Sequence, residues 1–476
     1  RACSGLPPVR QCSCRAYIIA GMAALVLLPT SCRENEFGSV DLTMPTTPTT
    51  PDVDATYTFN HPCAMYTADD FARVKAELDG NTIPEVAQAF AALKSSPYSS
   101  LSRMPEPQEL IVRGDPKGTG IDKENYQYAM RDAAAAYQTA LIWKLSGDEA
   151  YAQKSIEIMN VWAQKCKKIT SNDPNQVLAA GAQGYTFACA AEIMLGYSEW
   201  NAGDVAKFKQ WMLDVFATKN KDFLEHKDAN TCAKHCWSNW DLVNMCSYMA
   251  IGILTEKSDM VNYVVNYFYK GPGNGCINYL INGDFLADPL GSGEMLAQDQ
   301  ESGRDQGHAQ MSAMVTANLA QMAYSLYEQN KLNADAAKLD FFAVNDNALL
   351  KLGEYVALSN LRNGSDNANK EGQWLVSATN MPFNKLEYCV GCSCRDKNHS
   401  AVHTSLADDS GRGSVRPGWE IYYNHYAKVK GLTSGFIYVK QMADKMRPEC
   451  GPGDNCYGHN SGAFDQLGWS TLMLYR

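Results

Sequence analysis

The sequence predicts an all-α protein, an (α/α) toroid or barrel of helical hairpins, with at most a small β element. Three observations lead there. Apolar residues recur at helical spacing over many long stretches, short polar turns separate most of those stretches, and strand-like character is confined to one region near 373–390. Thr67-Ala68-Asp69-Asp70 has the form of a capping box and opens a helix that should end near Gly80. Residues 126–145 and 148–165 are two amphipathic runs split by Ser146-Gly147-Asp148. In the first, Ala135, Leu141, Ile142 and Leu145 recur at roughly helical spacing, as do Ile156, Ile158, Met159 and Trp162 in the second. Further helices are expected over 177–196, 203–218, 239–254, 258–268, 307–329 and 345–358, and over 420–446 in two pieces. These stretches share no repeat consensus, which argues against a regular solenoid.

No long Pro- or Gly-rich break follows Tyr57, so residues 57–476 are expected to be one domain. Upstream, Arg10 and Arg15 precede an apolar run, Ala16 to Leu28, of signal-peptide length and too short to span a membrane. Leu27-Leu28-Pro29-Thr30-Ser31-Cys32 resembles a lipoprotein processing site. Residues 1–31 therefore read as a signal peptide and Cys32 as a lipidated first residue, an ordinary secretory signal being the alternative. Residues 32–56, with their Pro/Thr run, read as a stiff spacer. The expectation is an exported monomer, an outer-membrane or periplasmic lipoprotein of a Gram-negative bacterium, touching membrane only through its anchor.

The 42 Lys and Arg against 52 Asp and Glu give a net charge of −10, and loss of Arg1, Arg10 and Arg15 with the leader takes it to −13. Such a chain is a poor general binder of nucleic acid, and no nucleic-acid partner is expected. An anionic ligand would need a local cluster of positive groups, for which Arg304, Arg395, Lys397, Arg412 and Arg416 are candidates. Sixteen cysteines, twelve of them beyond the anchor, suit an oxidising compartment. Cys232-x3-Cys236 and Cys389-x2-Cys392-x-Cys394 do not complete paired zinc knuckles, so disulfides are favoured over metal, with a local Cys450–Cys456 loop as one pairing.

Three polar segments lead into apolar helices. In the first, Glu301-Ser302-Gly303-Arg304-Asp305-Gln306-Gly307-His308, helical spacing puts Arg304 and His308 on one face. A guanidinium beside an imidazole disfavours imidazolium, keeping His308 able to accept a proton, and Glu301 is placed to orient Arg304. The plain alternative is an Arg–Glu structural pair with a capping His. In the second, Trp237-Ser238-Asn239-Trp240, Asn239 offers an amide and the indoles offer flat faces of the kind that stack on sugar rings, although Asn at a helix start is often only a cap. The third, Arg416-Pro417-Gly418-Trp419-Glu420-Ile421-Tyr422-Tyr423-Asn424-His425-Tyr426, suits either a core or an aromatic cleft.

Together and in this order, the three segments resemble the alginate lyase superfamily of polysaccharide lyases, most closely polysaccharide lyase family 38, from about residue 57 onward. The resemblance implies an α/α toroid and β-elimination on a 1,4-linked polyuronate, alginate or glucuronan, with no cofactor and no metal. Asn239 and Arg304 would neutralise the substrate carboxylate. His308 would be the base, with His403 or His425 as alternatives. Tyr426 would be the acid, with Tyr423 next and Tyr126, Tyr128 and Tyr137 still open. Trp240, Glu301, Gln306, Tyr423, His425, His403 and Arg416 would bind substrate. The chain departs from the better-known pattern by placing Trp240 after the Asn and by lacking a Tyr about two turns after the Arg. Two other readings remain, a non-catalytic glycan-binding surface lipoprotein and an α/α-toroid glycoside hydrolase working with two carboxylates drawn from Glu301, Asp305 and Glu420.

Overall fold

The computed structural model describes residues 52–114, 123–227, 231–363, 372–387, 389, 402–408, 411–414, 416–453, 457–459 and 461–476. The expected leader, anchor and most of the spacer lie outside them, as do Cys392, Cys394, Arg395, Lys397 and Cys456. Asp52–Arg476 form one compact unit. Residues 52–56, expected as spacer, dock on this unit, where the side-chain amide of Asn266 bonds both the N–H and the carbonyl of Val53 at 2.8 and 2.9 Å.

The unit is a toroid of helical hairpins. The expected capping box at Thr67 and Asp70 opens α1 (Ala68–Gly80), which is followed by α2 (Pro84–Ser95). Then come α3 (Tyr126–Ser146) and α4 (Glu149–Lys165), joined by left-handed Gly147 and capped by Asp148. Next are α5 (Gln176–Met194), α6 (Ala202–Trp211), α7 (Thr218–His226), α8 (Ser238–Leu254), α9 (Ser258–Lys270), the short α10 (Ile277–Leu280) and the long α11 (Gln306–Asn330). The chain closes with α12 (Val344–Asn360), α13 (Trp419–Tyr423), α14 (Ile437–Met446) and α15 (Ser470–Leu474). A π-helical turn, Met212–Ala217, fuses α6 to α7, so this arm runs well past the expected stop at 218. The expected β element reduces to β1 (Leu386–Glu387) paired antiparallel with β2 (Val402–His403).

Buried helices α5, α8 and α11 run in the same direction. Their composition allows close approach: a Cβ on Gly181 would meet the Val243 side chain at 2.6 Å, and one on Gly184 would meet Ser247 Oγ at 2.1 Å. Farther round, Ser238 meets Ser312 and Cys246 Sγ meets the Val315 carbonyl at 3.6 Å. The contacts rise together in residue number, so the N-termini of all three helices open at one end of the toroid, where the polar segments lie. Alternate helices return outside them, burying the apolar faces that the sequence periodicity predicts.

Candidate active site

Glu301 organises this end. It is fully buried and accepts five hydrogen bonds. Its Oε1 receives Ser238 Oγ (3.0 Å), the Asn239 N–H (2.9 Å) and Ser312 Oγ (2.8 Å). Its Oε2 receives Asn239 Nδ2 (3.0 Å) and Arg304 Nη1 (2.8 Å). One carboxylate thereby joins the starts of α8 and α11 and holds an amide and a guanidinium side by side. Gln300 Oε1 takes the Ser238 N–H at 3.1 Å, and a buried Lys227–Asp241–Tyr267 cluster anchors the first turn of α8 from the other side. Behind Glu301, burial and then the Glu301 charge push the Asp299 carboxyl well above its ordinary range.

Arg304 is partly exposed and lies over the Trp237 ring at 5.1 Å. The other side of this cluster carries His403, whose ring is 6.0 Å from that of Trp237. Gly303 makes the approach possible, because a Cβ there would stand 2.5 Å from His403 Cβ. Burial lowers the His403 pKa, opposed only by a backbone hydrogen bond with Gly303, and Nε2 is buried with no partner among the described residues. It is a neutral imidazole with an unused nitrogen.

His308 stands on the first turn of α11. Asp305 caps that helix through the His308 N–H at 2.8 Å and also holds His308 Nδ1 at 2.6 Å, leaving Nε2 on a half-exposed ring. Burial opposes ionisation of Asp305, but its contacts with His308 and the Arg304 guanidinium outweigh that and hold the carboxyl down at about 2. Asp305 was read from sequence only as a hydrolase carboxylate, and its role in orienting His308 was missed. Its signal was legible, since Asp is a preferred residue immediately before an apolar helix.

The structure thus brings Asn239, Arg304, His308, Glu301 and His403 to one place, with Trp237, and it removes other expected residues. Tyr426 is fully buried, and its hydroxyl donates to the Phe342 carbonyl at 2.9 Å, so it is a core residue and not the acid. His425 is buried too, stacked on Phe342 at 3.7 Å and edge-on to Tyr324 at 4.5 Å. Tyr324 lies sixteen residues beyond His308 on the same helix, about 24 Å at the usual rise. Tyr423 turns instead to Phe436 and Arg447. Trp240 is one residue, about 100°, round the helix from Asn239, and it packs against Phe223 of α7. Gln306 is buried between the Ser302 carbonyl and Asn360. Arg416 braces α11 from beneath, bonding the Gly307 carbonyl and Asp465. Arg412 is taken up by the Ser359 and Val376 carbonyls. Of the cysteines, Cys232 and Cys450 are disulfide-bonded.

Residues 89–279 match the family model for alginate lyase. The chain resembles the alginate lyases. The matched stretch contains Asn239 and ends before Arg304. Solved structures of these enzymes share the fold. Alginate lyase A1-III from Sphingomonas species A1 covers 86% of this chain and 95% of its own at 14% identity, with a TM-score of 0.50. An apo histidine-to-alanine variant of A1-III covers 87% and 95% at 13% identity (TM-score 0.51). A tyrosine-to-phenylalanine variant in complex with a tetrasaccharide covers 88% and 99% at 14% identity (TM-score 0.50). No curated protein matches the chain by sequence. Family 38 in particular is not singled out by these similarities.

Proposed function

We propose that this protein is a polysaccharide lyase that cleaves a 1,4-linked polyuronate, alginate or glucuronan, by β-elimination at the Glu301 cluster. The observation that carries the reading is the shared Oε2 of Glu301, which holds Asn239 Nδ2 and Arg304 Nη1 together. Their remaining N–H groups form a paired donor site matched to a uronate carboxylate. Dispersing that carboxylate charge stabilises the enolate-like species that forms when the C5 proton leaves. His403, neutral and with Nε2 unused, takes the proton. His308, oriented by Asp305, delivers a proton to O4 as the C4–O4 bond breaks and the C4–C5 double bond forms. This differs from the sequence expectation, in which His308 was the base and a tyrosine the acid. Trp237, lying between Arg304 and His403, offers a face for the sugar ring.

A hydrolase needs two available carboxylates. Here Glu301 is saturated with donors, Asp305 is committed to His308, and Glu420 is buried against Arg447 at 2.8 Å. The disulfides at Cys232 and Cys450 support export to an oxidising compartment. The test is the ultraviolet absorbance of an unsaturated uronate product during incubation with alginate and with glucuronan. A rise is expected on at least one. New reducing ends without it would indicate a hydrolase, and no change on any polyuronate would leave a binding protein.

A further inference from the structure

A second cluster lies well away from the cleft. His61, Cys63 and Glu192 place a ring nitrogen, a thiol sulfur and a carboxylate oxygen within 4.8 Å of one another. Cys63 Sγ is 3.8 Å from His61 Nδ1, and His61 Nδ1 is 3.0 Å from Glu192 Oε1. Tetrahedral zinc has bonds of about 2.3 Å to sulfur and about 2.0–2.2 Å to nitrogen and oxygen, which sets ligand–ligand edges of about 3.3–3.6 Å. The cluster is close to that size before any ion enters. Cys63 and Glu192 are buried, His61 nearly so, and Cys63 is not in a disulfide.

A separate observation points the same way. The other ring nitrogen of His61, Nε2, lies 3.4 Å from Glu256 Oε1. A carboxylate on the far nitrogen of a histidine, with soft and hard donors gathered at the near one, is the arrangement that fixes a metal-binding tautomer. Lys209, 4.0 Å from Glu256, and Lys144, which faces Glu192, are the neighbouring positive groups. Neither is among the donors.

We propose that His61 Nδ1, Cys63 Sγ and a Glu192 carboxylate oxygen bind a divalent cation of zinc type, with water as fourth ligand. The metal would be structural. It would fasten the segment preceding α1 to the last turns of α5, with Glu256 reaching in from the turn between α8 and α9. Glu192 is sixteen residues from the start of α5, about 24 Å from the end that carries Asn239 and Glu301. The expectation of no metal came from the family resemblance, and no spacing motif joins these ligands, which lie 131 and 129 residues apart.

The experiment uses the full chain, stripped with chelator, reloaded with excess Zn2+ and desalted, with metal counted by elemental analysis. Co2+ loading is followed by thiolate-to-metal charge-transfer absorption. One retained equivalent and a thiolate–Co2+ band are expected, both lost in Cys63→Ser and kept in Cys236→Ser. Glu256→Gln, at an exposed side chain that should leave folding intact, is expected to weaken Zn2+ binding about 10–100-fold. A metal-free protein after reloading, a band that survives Cys63→Ser, or unchanged affinity in Glu256→Gln would each overturn the proposal. All these readouts are independent of polyuronate cleavage.

Discussion

Replacing Glu301 with Gln tests the centre of the proposed site, because it keeps shape and removes charge. The amide can sit two ways. With its NH2 in place of Oε2 it would confront Asn239 Nδ2 and the Arg304 guanidinium, both donors. With its NH2 in place of Oε1 it would meet two hydroxyls, Ser238 and Ser312, which can rotate to accept, and the Asn239 N–H, which cannot. The second placement costs less. It leaves one buried N–H unpaired, about 1–3 kcal/mol, and turns the Arg304 bond from charge-assisted to neutral-acceptor, about 1 kcal/mol more. The expected loss of stability is therefore about 2–4 kcal/mol, readable as a lowered urea midpoint. Turnover on a polyuronate should fall by about 100-fold or more, because Asn239 and Arg304 lose their common reference point. A midpoint within about 0.5 kcal/mol of the parent and turnover within about threefold would refute the argument that Glu301 sets the site.

Further expectations follow from neighbouring residues. Arg304→Lys keeps charge but loses the fork that serves Glu301 and substrate together, so kcat/KM should fall by about 100-fold, and parental activity would make Arg304 purely structural. His403→Gln should abolish turnover while leaving the circular dichroism spectrum intact. In the parent, burial lowers the His403 pKa, so the neutral ring persists to acid. The acid limb of kcat/KM should then lie below the ordinary histidine value of about 6.5, and a limb above it would remove His403 as the base. Stability should fall as pH rises. Burial pushes Glu354 and Glu449 up to about 8 and, opposed by Arg447, Glu420 up to about 7. The folded chain thus holds protons that the unfolded chain has released above about pH 4.5, and that stabilisation is lost as pH climbs through about 7–8. A melting midpoint no lower at about pH 9 than at about pH 6 would contradict this.

Much of the architecture was legible because helix periodicity and caps are local. The boundary at Gly147, the α8 span and the α11 span all follow from residues within one turn of the ends. The Glu301 segment was legible for the same reason, since its polar residues run straight into an apolar helix. Positions two elements away were not. Tyr426 and His425 carry polar atoms, but their rings fill the space around Phe342, and nothing in their own segment reveals that partner. His403 appeared as one histidine among several until Gly303 and Trp237 were seen against it. Asn239 and Trp240 looked equally suited to substrate until the helix turned one toward Glu301 and the other toward Phe223.

The common direction of α5, α8 and α11 also affects the electrical character of the opening. Each helix carries a macrodipole equivalent to about half a positive charge at its N-terminus, so three such ends supply on the order of one and a half charges there. Peptide dipoles neither titrate nor need a counter-ion of their own. A chain with a net charge of −10 can therefore keep an acidic exterior, which repels other polyanions weakly from every side, while one end of the toroid stays attractive to a uronate chain. That attraction should survive pH changes that would alter histidines, and it should weaken mainly with added salt.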